Sequence, residues 1–374
     1  MGSIRGGNGR RRLRIAQVSP LFESVPPQKY GGTERIVSYL TEELVSRGHD
    51  VTLFASGDSQ TRARLVAPCA HALRLAACID SLPHHYVMLE EVARRAREFD
   101  FVHFHVDYLH FPLSRRLGLN HVTTLHGRLD LADLVPLCRE YGEMPLVSIS
   151  DAQRAPLPWV NWRATVHHGL PRDLYTFDPD GGDYLVFVGR ISPEKRVDRA
   201  IEIARRAGMR LVIAAKIDRA DREYAKNLEH LFAESHVEFV GEVGDVDKGR
   251  LIGGARALVF PIDWPEPFGL VMIEAMACGT PVIAFPGGSV REVIDSGVTG
   301  FIVDDIDAAV RAVARARELS RRRIRDVFER RFTSARMADD YIAIYDQSTS
   351  EVSDGRSHAT IPGLHDPGYS VAGG

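Results

Sequence analysis

The stretch LRIAQVSPLFESVPPQKYGGTERIVSYLTEELVSRGHDVTLFA, residues 13–55, decides the fold class. It opens on a short apolar run, 13–19, and closes on another, 51–55, each of strand length and without helical spacing. Between them, residues 34–47 set Ile36, Val37, Leu40 and Leu44 on one face of a helix, which Gly48 stops. The unit therefore reads strand, loop, helix, strand. Further β-rich runs follow at 101–106, 121–125 and 146–149, again separated by helical patterns. Such alternation predicts an α/β fold, a parallel sheet wrapped by helices.

In GLPRDLYTFDPDGGD, residues 169–183, prolines, glycines and aspartates accumulate and break the pattern, which places a domain junction at about 170–182. The alternation then restarts, with runs at 184–188, 210–214, 237–240, 257–260, 281–285 and 300–303. Two similar α/β domains in tandem are expected, residues 13–172 and 180–331, and a chain of 374 residues is long enough for two cores. Residues 307–347 are arginine-rich and helical in period, with Phe332, Met337, Tyr341, Ile344 and Tyr345 as late apolar anchors. Interspersed Glu318, Asp326, Glu329, Asp339 and Asp340 favour a solvated helix face over an RNA-binding one. A basic tail, 1–12, and an aperiodic tail, 348–374, are both expected to be disordered.

Composition narrows the function classes. With 44% hydrophobic and 26% charged residues the chain has ordinary globular proportions, and its formal net charge of -3 offers no overall field for nucleic acid. The four cysteines, Cys69, Cys78, Cys138 and Cys278, form no C-x-x-C pair, so neither a disulfide framework nor structural zinc is indicated and a cytoplasmic setting fits. The arginines of the first fourteen residues are not followed by the apolar run of a signal peptide. No segment approaches ~18 uninterrupted apolar residues, so peripheral contact of the basic tail is the most membrane involvement expected.

Three loops carry chemistry. PPQKYGGTER, 26–35, ends in Gly31-Gly32 just before a helix, where bare backbone amides and the positive helix end suit a phosphate; a plain tight turn is the alternative. At the end of a strand, Arg190 is followed five positions later by Lys195, a placement that clamps a diphosphate beyond a parallel sheet, unless the cations merely pair with Glu194. In PEPFGLVMIEAMACGTP, 265–281, Glu266 sits in a proline-flanked loop, Gly269 opens a helix and Glu274 lies on it. Glu266 can accept hydrogen bonds from hydroxyls, the amides of Phe268, Gly269 and Leu270 can donate others, and Glu274 can grip a ribose diol.

Other signals read as structural. Asp245-Val246-Asp247 matches a metal-binding D-x-D but precedes a helix and is assigned to capping. His103, His105 and His110 lack a completing zinc ligand nearby, and His105 can line the acceptor side. His167-His168 at the junction reads as a structural pair, and Cys278 as a packed helix end.

The stretches GGTERIVSYLTEELVSRGHDVTLFA, VGRISPEK, PEPFGLVMIEAMACGTPVIA and GGSVREVIDSGVTGFIV, in that order, strongly resemble the retaining glycosyltransferases often called family 4. The resemblance covers about residues 13–345 and implies the GT-B arrangement, two Rossmann-like domains with an interdomain cleft, an acceptor domain first and a nucleotide-sugar domain second. Matched by position, it implies that Arg190 and Lys195 bind the donor diphosphate and Glu274 the ribose. Glu266 with Phe268, Gly269 and Leu270 would hold the transferred sugar, Gly32 would lie near the donor phosphate and His126 beside sugar and acceptor. It further implies that a final helix, about 332–345, crosses back onto the first domain.

The resulting expectation is a metal-independent hexosyltransferase with no cofactor, moving sugar from a nucleoside diphosphate, uridine preferred, to an acceptor hydroxyl by same-face attack. A double displacement through Glu266 is the minority mechanism. A catalytically silent sugar-nucleotide-binding protein on the same fold is the alternative, and a phosphorylase or epimerase a third. A nicotinamide dehydrogenase is disfavoured because neither domain carries the glycine fingerprint. Lys216 and residues 242–244 are placed to select the base.

Overall fold

The computed structural model describes residues 11–28, 31–76 and 78–353. The first sheet holds β1 (Arg14–Val18), β2 (Asp50–Phe54), β3 (Arg64–Val66), β4 (Phe101–Phe104), β5 (His121–Thr124), β6 (Leu146–Ser148) and β7 (Trp162–Thr165). The second holds β8 (Tyr184–Arg190), β9 (Arg210–Lys216), β10 (Val237–Gly241), β11 (Ala257–Phe260), β12 (Val282–Ala284) and β13 (Gly300–Ile302). Their orders are β3-β2-β1-β4-β5-β6-β7 and β10-β9-β8-β11-β12-β13, all pairs parallel. Two Rossmann-like α/β domains result. The central strands β4, β5 and β11 are buried along their whole length, as a sheet covered on both faces requires.

Both sheets reverse their order at the first strand of the domain. Ile15 of β1 is in register with Val51 on one side and Phe101 on the other, while β8 lies between β9 and β11. At such switch points the loops diverge to opposite faces and leave a crevice beyond the carboxyl ends of the strands. The helix Gly32–Ser46 follows β1 with Ile36, Val37, Leu40 and Leu44 buried, and it starts two residues before the position read from the sequence.

The strands β3 and β7 have no counterpart among the runs read from the sequence. Each is an outermost strand of the first sheet and only partly buried, so the apolar signal of RLV and WRAT is weak.

The junction is a crossing of two chain segments. Leu170 N donates to Phe332 O (2.9 Å) and Ser334 N donates to Leu170 O (2.7 Å). The segments lie so close that a Cβ on Gly169 would stand 2.2 Å from Thr333 O, which only glycine avoids. Before the crossing, the helix Arg321–Arg331 packs on the second domain. The solvated face expected of this arginine-rich stretch fails at two positions. Arg325 is buried and donates to the carbonyls of Arg172 (2.6 Å), Tyr175 (3.1 Å) and Ala277 (2.5 Å), and Arg321 donates to those of Asp178, Gly253 and Ala255. Long guanidinium side chains satisfy carbonyls of loops and helix ends that lack backbone partners.

After the crossing, the helix Ser334–Ser353 lies on the first domain, burying Met337, Tyr341, Ile342 and Tyr345. It passes Ser348, where the sequence reading begins an aperiodic tail: Thr349 is buried, and its hydroxyl donates back to Tyr345 O (2.9 Å). The remainder of that tail, 354–374, and residues 1–10 of the basic one lie outside the described residues. One apolar cluster runs from Ile15 and Phe101 through Tyr341 and Phe332 to Met272 and Leu258, so the crossing helix joins the two cores.

Candidate functional site

A cavity of about 570 Å³ opens between the carboxyl ends of the two sheets. It is lined by every residue nominated from the sequence: Gly31, Gly32 and His126 from the first domain, and Arg190, Lys195, Glu266, Phe268, Gly269, Leu270 and Glu274 from the second. Residues far apart in sequence converge because each follows a strand at or beside a switch point.

The wall from the second domain is ionic. Arg190 ends β8, and Lys195 ends the short 3-10 turn Pro193–Lys195 that follows it. The two cations take different partners. Arg190 pairs with Glu194, as the structural alternative supposed, and also with Asp221 (3.2 Å) and Asp218 (3.8 Å). Lys195 instead pairs with Glu266 and lies over the ring of Trp264, its Nζ 4.7 Å from the centroid. Trp264 Nε1 donates to the same Glu266 oxygen at 3.0 Å. Glu266 is only 7% exposed, so the ammonium and the indole offset the cost of its burial.

The loop that carries Glu266 is held from behind by Gly287-Gly288-Ser289. Ser289 N donates to Glu266 O (3.0 Å) and Ser289 Oγ to Phe268 O (2.8 Å). Gly288, with φ of 54°, passes so near that a Cβ would stand 2.0 Å from Glu266 O. This support role was not read from the sequence, although the stretch GGSVREV contained it. At the start of the helix Leu270–Cys278, among the described residues, the amides of Phe268, Gly269 and Leu270 meet no hydrogen-bond acceptor and remain donors for a ligand.

Glu274, on that helix and 4% exposed, accepts from Lys248 Nζ at 2.6 Å and Tyr175 Oη at 3.3 Å. Lys248 also bridges to Asp245 (3.2 Å), and Asp245 pairs across the cleft with Arg35 of the first domain. The capping role read for Asp245-Val246-Asp247 is thus corrected. Gly244 is the N-cap of the helix Asp245–Gly253 and no side chain caps it. The carboxylate of Asp245 is drawn instead to two cations, which hold it below the usual range against the opposing cost of burial. Arg35, Tyr175 and Lys248 were missed by sequence reasoning. Arg35 lay within the quoted loop GGTER and Tyr175 within the junction stretch, whereas Lys248 lay in neither.

On the wall from the first domain, a cluster of histidines lies beside charged groups that include Arg35 and Glu34. His126, just beyond β5, stacks on His168 (5.3 Å between rings) and meets His105 Nδ1 through Nε2 at 2.9 Å. Burial pushes His126 down to about 3 and holds His103, His105 and His168 well below the ordinary imidazole value. All four rings are therefore uncharged at neutral pH. Gln153 fixes the loop by donating to the carbonyls on either side of His126, Leu125 O and Gly127 O, both at 2.8 Å. His105 and His168 also line the cavity, which extends His168 beyond the structural pairing read for it. Beside Gly31-Gly32, burial pushes the Glu34 carboxyl up to about 7 although Glu23 N donates to it.

Lys216 and Glu242 line the far end of the cavity, with Lys216 paired to Asp218 at 2.9 Å. No helix among the described residues is long and apolar enough to cross a membrane.

Comparison with known proteins follows the same division. Residues 30–172 match the family model described as Glycosyltransferase Family 4, and residues 176–328 match that of the glycosyl transferases group 1. A D-inositol 3-phosphate glycosyltransferase of Pseudarthrobacter chlorophenolicus is 26% identical over 339 residues, 75% of this chain and 80% of the relative. One of Geodermatophilus obscurus is 30% identical over 215 residues, 50% of this chain and 46% of the relative, so that match spans about half the relative's length. Among solved structures, AviGT4, a glycosyltransferase involved in avilamycin A biosynthesis, has a TM-score of 0.68 at 24% identity, covering 90% of this chain and 98% of that one. The sucrose-phosphate synthase of Thermosynechococcus elongatus has a TM-score of 0.72 at 20% identity over 91% and 100%. HepE of Anabaena, solved with UDP and glucose, has 0.70 at 16% identity over 90% and 100%. With both of its halves matched in tandem on the same two-sheet fold, the chain belongs to the GT-B glycosyltransferases of family 4.

Proposed function

We propose that this chain moves a sugar from a nucleoside-diphosphate donor, UDP-linked by preference, to an acceptor hydroxyl with retention of configuration at the anomeric carbon. The observation that carries the reading is the single cavity in which Arg190, Lys195, Glu266, Glu274 and His126 meet. Residues 180–331 hold the donor and 13–172 receive the acceptor, a sugar, a lipid-linked sugar or a small molecule. Solved structures of HepE with UDP and with glucose support uridine as the base.

In the transition state the sugar becomes oxocarbenium-like while negative charge grows on the departing diphosphate. Lys195 and Arg190 stabilise that charge, which makes a metal and any other cofactor unnecessary. Glu274 accepts from the ribose hydroxyls, and Glu266 with the amides of 268–270 orients the sugar. The leaving phosphate oxygen accepts the proton of the attacking hydroxyl on the same face, so no protein base is required. The cytoplasm supplies such donors and suits four reduced cysteines.

A thermal-shift panel of UDP, GDP, ADP and their sugars tests the reading, because a ligand that binds only the folded chain raises its melting temperature. A rise with UDP and UDP-sugars is expected, together with slow donor hydrolysis that EDTA leaves unchanged and an α-linked product from an α-linked donor. No shift with any nucleotide, or an inverted product, contradicts it.

A further inference from the structure

His126 is one end of a hydrogen-bond chain that crosses the interior of the first domain to the final helix. Its Nε2 meets His105 Nδ1 at 2.9 Å, and His105 Nε2 meets Gln17 Oε1 at 2.9 Å. Gln17 Nε2 donates to Tyr345 Oη at 3.2 Å, and Tyr345 Oη meets His103 Nδ1 at 2.8 Å. His103 Nε2 then meets Thr124 Oγ1 at 2.7 Å, and Thr124 meets Tyr341 Oη at 2.8 Å. Gln17, His103, Thr124, Tyr341 and Tyr345 are fully buried, so water does not substitute for the links among them.

The chain has a direction. Gln17 Oε1 accepts only, so His105 carries its proton on Nε2. A neutral ring has one N–H, which leaves His105 Nδ1 as an acceptor and requires His126 to donate from Nε2. His126 Nδ1 is then a lone pair, and among the described residues it has no partner. In the other direction Gln17 donates to Tyr345 Oη, whose proton passes to His103 Nδ1, so His103 Nε2–H donates to Thr124. Each link from His126 to Thr124 then pairs one donor with one acceptor.

We infer that Gln17, His105 and Tyr345 are positioning residues that hold His126 as its Nε2–H tautomer, so that Nδ1 accepts a hydrogen bond from a sugar hydroxyl in the cavity. The ligand half of this statement rests on the function proposed above, whereas the tautomer half does not. The final helix of the chain, through Tyr345, thereby sets which hydrogen bond the cavity offers 328 residues away from Gln17 in sequence.

Long-range proton–nitrogen NMR of the ¹⁵N-labelled ligand-free chain distinguishes the two tautomers directly, with His126 assigned by its loss in His126→Asn. An unprotonated Nδ1 and a protonated Nε2 are expected at His126. Gln17→Leu and Tyr345→Phe should each produce a mixture of tautomers, whereas Gln17→Glu, which still presents an oxygen to His105, should restore the single form. In the transfer assay, Gln17→Leu and Tyr345→Phe should raise KM for the sugar donor about fivefold, the loss of one hydrogen bond, while Kd for UDP alone is unchanged. A protonated Nδ1 in the native chain, or an unaltered tautomer in both variants, overturns the inference. The expected spectra without any sugar transfer would sustain the tautomer and overturn the functional reading instead.

Discussion

On the second domain's side of the cleft, Lys195 with Glu266 and Lys248 with Glu274 meet as ion pairs, and Arg190 faces three carboxylates. On the first domain's side, His105, His126 and His168 meet as uncharged rings. The difference teaches how the labour of transfer divides. Charge that grows on a leaving diphosphate needs fixed cations, whereas hydroxyl groups need directional donors and acceptors that add no field of their own. The ligand-free cations are not bare. Each is held in place by a carboxylate of the chain.

Breaking the ionic wall should have the largest effect. Lys195→Ala is expected to lower kcat/KM by about 10²–10³, on the scale of removing one transition-state donor, with circular dichroism unchanged. Loss of folding would show that the pair with Glu266 is structural, since stripping one partner from a buried ion pair costs about 3–5 kcal/mol. Glu274→Ala should weaken UDP and uridine alike, by about tenfold in Kd, because both carry the ribose. Equal affinities in the variant and the native chain would remove Glu274 from the site.

The histidine cluster of the first domain is tested by acid. His103, His105, His126 and His168 all have folded values below the unfolded one of about 6.5, so the unfolded chain binds protons first as pH falls through that value. Urea unfolding should therefore show stability falling from pH 6.5 to pH 5 by about 1 kcal/mol or more, and a flat profile would contradict neutral rings.

An effect of opposite sign is expected of Glu34, whose folded value of about 7 exceeds its unfolded one. Stability from its protonated form is present below about pH 4.5 and lost as pH rises through 7. Glu34→Gln should thus raise the unfolding free energy by about 2 kcal/mol at pH 8 and by little at pH 5. A gain independent of pH would reject the assignment.

Much of this architecture was legible in the sequence, because apolar runs and helical spacing repeat in both halves and site residues sit in short loops after strands. Glu266 and Glu274, eight positions apart, declared themselves through the prolines and glycines around them. What stayed hidden required distance. Arg35 meets Asp245 across 210 residues and Gln17 meets Tyr345 across 328, and no local pattern encodes such pairs. Asp245 was misread for this reason, since a helix start explained it locally. Arg321 and Arg325 were misread likewise, because charge composition alone does not reveal carbonyls left open at the ends of neighbouring helices.

Arg190 and Lys195 are expected to recognise the diphosphate, and calorimetric titration of UDP beside uridine checks this. The native chain should bind UDP at least about a hundredfold more tightly than uridine, with that gap collapsing in Arg190→Ala and Lys195→Ala while uridine affinity holds. A gap of the same size in all three proteins would contradict the account.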